Sequence, residues 1–140
     1  MKIHIENVIN DSIQFSAEYG QGRGKWKSDN PPIKKDYYVE FDIDAVCNYT
    51  DFLISSINEY QIKMQEDKNV LTLLLVGYDE LGCATFRIGN SLIEIETEYD
   101  NRFLSLVGSY LIIKVEELGV YDENILERTN YANIRLSKER

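Results

Sequence analysis

Histidine and cysteine are almost absent from this chain, long apolar runs are missing, and each shortage closes off a class of chemistry. His4 is the only histidine, so a histidine-based catalytic triad would have to be built on one ring in a strand at the start of the sequence. Cys47 and Cys83 are the only cysteines, far apart and with no Cys-x-x-Cys. With a single histidine they make no zinc-type ligand set. Both lie in or beside apolar segments, where a thiol behaves as a small hydrophobe. Cys83 has no cation beside it in sequence to lower its pKa. Ser-x-x-Lys, Gly-x-Ser-x-Gly and His-Glu-x-x-His motifs are all missing. No catalytic residue, metal or cofactor is expected.

The longest uninterrupted apolar stretch runs from Leu73 to Val76, far too short to span a bilayer. Met1-Lys2-Ile3-His4-Ile5-Glu6 lacks the continuous apolar core of a signal peptide. Few cysteines and no targeting segment make a reducing, cytoplasmic compartment the expectation, with no membrane partner.

What is present is ordinary globular material. The 140 residues are 44% hydrophobic and 28% charged, too apolar for disorder and enough for one core without disulfides or metal. One domain over residues 1–140 is expected. The net charge is −9 and the pI about 4.6. Within residues 20–35, Arg23, Lys25, Lys27, Lys34 and Lys35 stand against Asp29, a local +4, so the other 124 residues carry −13. That field repels phosphate backbones and attracts cationic partners. Nucleic acid is therefore not expected as a general partner.

Apolar and polar residues alternate with a period of two through much of the chain, the pattern of half-buried antiparallel strands. Ile13, Phe15, Ala17 and Tyr19 share one face of residues 11–19. Tyr37, Val39, Phe41 and Ile43 share one face of 37–44, opposite Tyr38, Glu40, Asp42 and Asp44. In 91–98, Ile93, Ile95 and Thr97 oppose Glu94, Glu96 and Glu98. Further strands are expected at 2–9, 59–65, 70–78, 83–88 and 109–117. Residues 70–76 are apolar on both faces, as a covered central strand would be. Turn residues at 10–11, 66–69, 79–82 and 89–90 join them as hairpins. Short helices are expected at 51–58, capped by Thr50 or Asp51, and at 122–128. About eight antiparallel strands with one or two short helices imply a mainly-β chain, a barrel or a sandwich.

Three features are candidates for function. The segment Gly20-Gln21-Gly22-Arg23-Gly24-Lys25-Trp26-Lys27 reads as a glycine-rich loop. Alternate glycines let backbone approach a ligand, and its cations suit phosphate. It lacks the spacing of a phosphate-binding loop, and Pro31-Pro32 ends any helix that would follow. Its expected role is a connection with Trp26 packed on the fold, or a binding loop using Arg23, Lys25, Trp26 and Lys27. The second feature is the pair of acidic stripes, Glu40, Asp42 and Asp44, and Glu94, Glu96 and Glu98. Carboxylates at i and i+2 on one strand face sit about 6.5–7 Å apart, as in a solvated face, an acidic interface or a carboxylate site. The third is the ten tyrosines, of which Tyr38 and Tyr99 border the stripes. Tyrosine with carboxylates is a workable surface for Lys and Arg.

These features favour a non-enzymatic acidic module binding a basic protein. Compact acidic chains without catalytic residues resemble, in size and charge though in no motif, the immunity proteins that neutralise basic toxins. Glu40, Asp42, Asp44, Glu94, Glu96, Glu98, Tyr38 and Tyr99 are the expected contacts. The alternative is an OB-like barrel that binds a small ligand or nucleic acid through the 20–35 segment. A carboxylate-dependent enzyme ranks third.

Overall fold

The computed structural model describes residues 1–123. Eleven strands and two short 3-10 segments follow in the order β1 (Lys2–Ile9), β2 (Ser12–Ala17), β3 (Gly20–Trp26), β4 (Asp36–Asp42), a 3-10 turn at Tyr49–Asp51, β5 (Phe52–Ile54), β6 (Gln61–Gln65), β7 (Lys68–Tyr78), β8 (Cys83–Ile88), β9 (Ser91–Glu96), a 3-10 segment at Asn101–Leu106, β10 (Tyr110–Val115) and β11 (Gly119–Asp122). The fold is mainly β, as the alternation predicts, and its organising unit is a closed barrel.

That barrel has five strands. β1 pairs antiparallel with β2 and β4, β2 with β3, and β4 with β11. Gly119 and Val120 of β11 then pair in parallel with Lys25 and Trp26 of β3, and the ring closes. Closure leaves these five strands no long open edge. The alternating residues of β1, β2 and β4 point inside, so Ile3, Ile5, Ile13, Phe15, Val39 and Phe41 are all buried.

Residues 43–118 lie between β4 and β11 and continue the same sheet beyond the barrel, joined to it where Gly20 of β3 pairs in parallel with Ile62 of β6. β7 is the centre of this extension, with β10 on one edge and β6 followed by β8 on the other. β9 extends β8, and β5 lies outside β10. Both faces of β7 are covered from Asn69 to Leu73, as its doubly apolar pattern requires. An isolated bridge between Cys47 and Thr97 ties the end of β9 to the approach to β5.

Eleven strands stand where about eight were expected, and two further differences from the sequence reading have physical causes. Residues 20–26 are a strand and not a loop: Gly22 and Gly24 are buried against the barrel interior, where added Cβ atoms would meet the Phe15 ring at 2.7 Å and the Val120 side chain at 2.5 Å. Glycine there makes room for neighbouring core residues, although its poor strand propensity argues for a loop. Of residues 51–58, only Asp51 is in a helical turn, the end of the 3-10 turn at Tyr49–Asp51. Asp51 accepts the Asn48 amide at 2.7 Å and closes one turn, after which Phe52 stacks on Phe86 at 5.5 Å and β10 recruits 52–54 as a strand. In the proposed 122–128 helix, Asp122 ends β11, and 124–128 lie outside the described residues. Trp26 is buried, with its indole N–H donating to the Asn30 carbonyl at 2.6 Å and its ring 4.8 Å from Tyr37.

One side chain clips the two parts together. Asn69, 1% exposed, accepts from the Arg23 amide at 2.9 Å and donates to the Arg23 carbonyl at 2.7 Å. It therefore serves β3 as a strand partner would. Asn69→Ala orphans both backbone groups and is expected to lose about 2 kcal/mol. The measurement is a fall in the urea midpoint with an unchanged slope; an unshifted midpoint would mean the clip contributes nothing.

Candidate acidic groove

The polar faces of β4 and β9 border one groove of about 670 Å³, although their stripes lie some fifty residues apart in sequence. Tyr37, Val39 and Phe41 point into the core and leave Tyr38, Glu40 and Asp42 facing out. Ile93 and Ile95 do the same for Leu92, Glu94 and Glu96. Glu40, Asp42 and Glu94 line the groove with Leu92, Tyr121 and Glu123. Tyr121 stands directly across from Glu40 in the β4–β11 ladder.

Three of the groove's lining side chains, Asp42, Tyr121 and Glu123, already neighbour a cation of the chain itself. Lys27 Nζ lies 3.6 Å from Asp42 and 6.0 Å from the centre of the Tyr121 ring. The Met1 amino group is 3.8 Å from Glu123. Among the described residues Glu40 and Glu94 have no ion-pair partner. The groove runs on into a hollow of about 470 Å³ that shares Met1, Asn90, Ser91 and Glu123 with it and adds Lys2, Glu18, Tyr19 and Tyr38.

The remaining predicted contacts fall elsewhere. Asp44 faces a separate hollow beside Val46, Leu53 and Glu117. Glu96 pairs across from Cys83, and Glu98 bonds through its amide to the Cys47 carbonyl at 2.9 Å. Tyr99 lies against Tyr78, ring centres 5.6 Å apart. The six acids thus divide, with three on the groove, one in the neighbouring hollow and two beside the cysteines. Tyr121, Glu123, Glu18, Tyr19 and Leu92 were not singled out in the sequence. Tyr121 carries no local signal at all, since only the β4–β11 pairing brings it to Glu40.

The thiols are poor nucleophiles where they sit. Burial first, then Asp51, pushes Cys47 above the ordinary thiol pKa. Burial, then Glu94, Asp79 and Glu96, does the same to Cys83. Both stay protonated near neutral pH. Among the described residues no three His, Cys, Asp or Glu side chains gather closely enough to hold a metal ion.

The basic cluster is largely answered within the fold. Arg23 donates to the Asp67 carbonyl at 2.8 Å and lies 3.9 Å from its carboxylate. Lys25 sits 3.9 Å from Asp11 and 3.8 Å from Glu117. Lys35 lies over the Tyr37 ring at 4.7 Å. The outward side chains of β2 and β3 are Ser12, Gln14, Ser16, Gln21, Arg23 and Lys25, with no tyrosine, phenylalanine or tryptophan among them.

Compared with known proteins, the chain matches no family model, no curated protein and no solved structure. Function must be argued from geometry. No helix among the described residues is long and apolar enough to cross a membrane.

Proposed function

We propose that the chain is a non-enzymatic binding protein that holds a basic partner in the β4–β9 groove, blocking it stoichiometrically as an immunity protein blocks a toxin. The observation that carries this is the meeting of Glu40, Asp42 and Glu94 with Tyr121 in one groove. Carboxylates beside a tyrosine ring suit Lys and Arg through charge-assisted hydrogen bonds and cation–π contact. The net charge of −9 adds long-range steering toward such a partner.

The test is affinity capture from the native host at low salt, followed by binding kinetics with the recovered protein. A basic protein bound in equimolar amount is expected. Glu40→Gln combined with Asp42→Asn and Glu94→Gln is expected to slow association by about ten-fold or more, and added salt to erase the difference. Recovery of no basic protein, or an unchanged association rate, would reject the groove.

An OB-like ligand- or nucleic-acid-binding barrel is the second reading, favoured by the closed five-stranded ring in which β3 and β11 pair in parallel. Such barrels bind on the face of their second and third strands. Here that face offers no ring on which a base could stack, and Arg23 and Lys25 are engaged with Asp67, Asp11 and Glu117. The acidic groove is the better supported surface.

A further inference from the structure

The sheet that holds β7 ends, among the described residues, in a short apolar strand, β5. Among the described residues β5 pairs with β10 alone. The Ser55 amide donates to the Tyr110 carbonyl at 2.9 Å, which sets the phase of the ladder. With Leu53 opposite Ile112 and Ile54 opposite Leu111, Leu53 turns its backbone groups toward β10, while Phe52 and Ile54 turn theirs outward. The Phe52 amide is bonded to the Tyr49 carbonyl. Among the described residues, the Ile54 N–H and C=O and the Phe52 C=O lie along the open edge.

Edge strands are guarded by being very short, or by a lysine, a proline, a bulge or a covering loop, and β5, at three residues, has only its shortness. Residues 52–58 contain no charged residue and no proline. Leu53 and Ile54 are each 65% exposed and Ile57 61%. A hollow lies on either side of this edge, one of about 700 Å³ with Val46 and Leu53, the other of about 760 Å³ with Ile57, Tyr60 and Tyr110. Ile112 belongs to both. An extended segment laid along β5 would find main-chain partners at Ile54 and seats for alternate side chains, the two elements of recognition by strand addition.

Charge selects the occupant. Residues 48–62 carry Asp51 and Glu59 and no cation. The two hollows add Asp44, Glu18, Glu116 and Glu117 against Lys27, Lys63 and Lys114. A second copy of this chain would bring the same excess of acid to the contact, whereas a segment alternating apolar residues with lysine or arginine would complement it. We propose that β5 is a strand-addition site for an extended cationic segment of a partner protein. This rests on the reading of the partner as basic, but it uses a surface other than the β4–β9 groove.

The experiment titrates isotope-labelled full chain with a short alternating Lys/Val peptide and with its Glu/Val counterpart, and follows backbone amide shifts. Saturable shifts centred on 52–58 are expected, about ten-fold weaker or more with the acidic peptide. Ile54→Pro removes the outward N–H and is expected to abolish them. Because proline can disturb β5 itself, Ile57→Lys serves as a second variant, and it is expected to weaken binding several-fold without altering the spectrum elsewhere. The Glu40→Gln/Glu94→Gln chain should keep the β5 shifts. Shifts confined to the Glu40–Glu94 groove would overturn strand addition and leave the basic-partner reading intact. Dimerisation of the chain that Ile54→Pro abolishes would make the occupant a second copy and overturn the proposal. Failure of both this peptide and the host capture would remove both readings.

Discussion

Gly20→Ala is expected to lose about 4 kcal/mol of stability and about 10–15 °C of melting temperature. Gly20 has φ of +137°, and an added Cβ would lie 1.8 Å from the Ile62 carbonyl oxygen and 2.9 Å from its carbon. Those are backbone atoms, so no side chain can swing aside. The contact lies at the seam of the fold, where Gly20 pairs with Ile62 of β6 and the Ile62 amide donates to the Tyr19 carbonyl at 2.9 Å. Relieving the clash means parting β3 from β6. The loss is about a quarter or more of the roughly 5–15 kcal/mol that such a chain has. Gly77→Ala is the control, since nothing stands within 4 Å of its added Cβ. A thermal melt of both variants decides the matter, and a Gly20→Ala midpoint within a degree or two of the parent would show the seam to be compliant.

Phe103→Ala should be nearly as costly, about 3–5 kcal/mol. Phe103 is 0% exposed and sits among Tyr49, Phe52 and Tyr78, with ring centres 5.2, 5.4 and 4.7 Å away. It reaches that cluster from the 3-10 segment that Asp100 opens by accepting the Arg102 amide at 3.0 Å. Arg102 in turn lies 4.0 Å above the Tyr49 ring. Truncation leaves a cavity walled by rigid rings that cannot collapse into it. Denaturant unfolding gives the number, and a loss below about 1 kcal/mol would mean the cluster repacks. Phe103 does not line the Glu40–Glu94 groove, so the variant, while folded, is expected to bind a basic partner at the parental rate.

Local pattern and long-range pairing contributed differently to this fold. The alternation at 13 and 15, at 37, 39 and 41 and at 93 and 95 determined by itself which side chains of β2, β4 and β9 are buried, because a strand has only two faces. It likewise determined that Glu40, Asp42 and Glu94 are solvent-facing, and the apolar residues on both faces of 70–76 placed β7 at the centre of a sheet. The glycines of 20–24 misled for an equally physical reason. Their preference as isolated residues is for loops, and only inside the barrel does it matter that Phe15, Val120 and Ile62 leave no room for a Cβ. The apolar residues at 52–57 fitted a helix by spacing until β10 supplied a strand to pair with. Closure of the barrel by β11, the arrival of Tyr121 opposite Glu40 and the meeting of Glu40 with Glu94 depend on contacts between residues roughly fifty to ninety-five positions apart. No local periodicity encodes these, so the tertiary structure alone decided them.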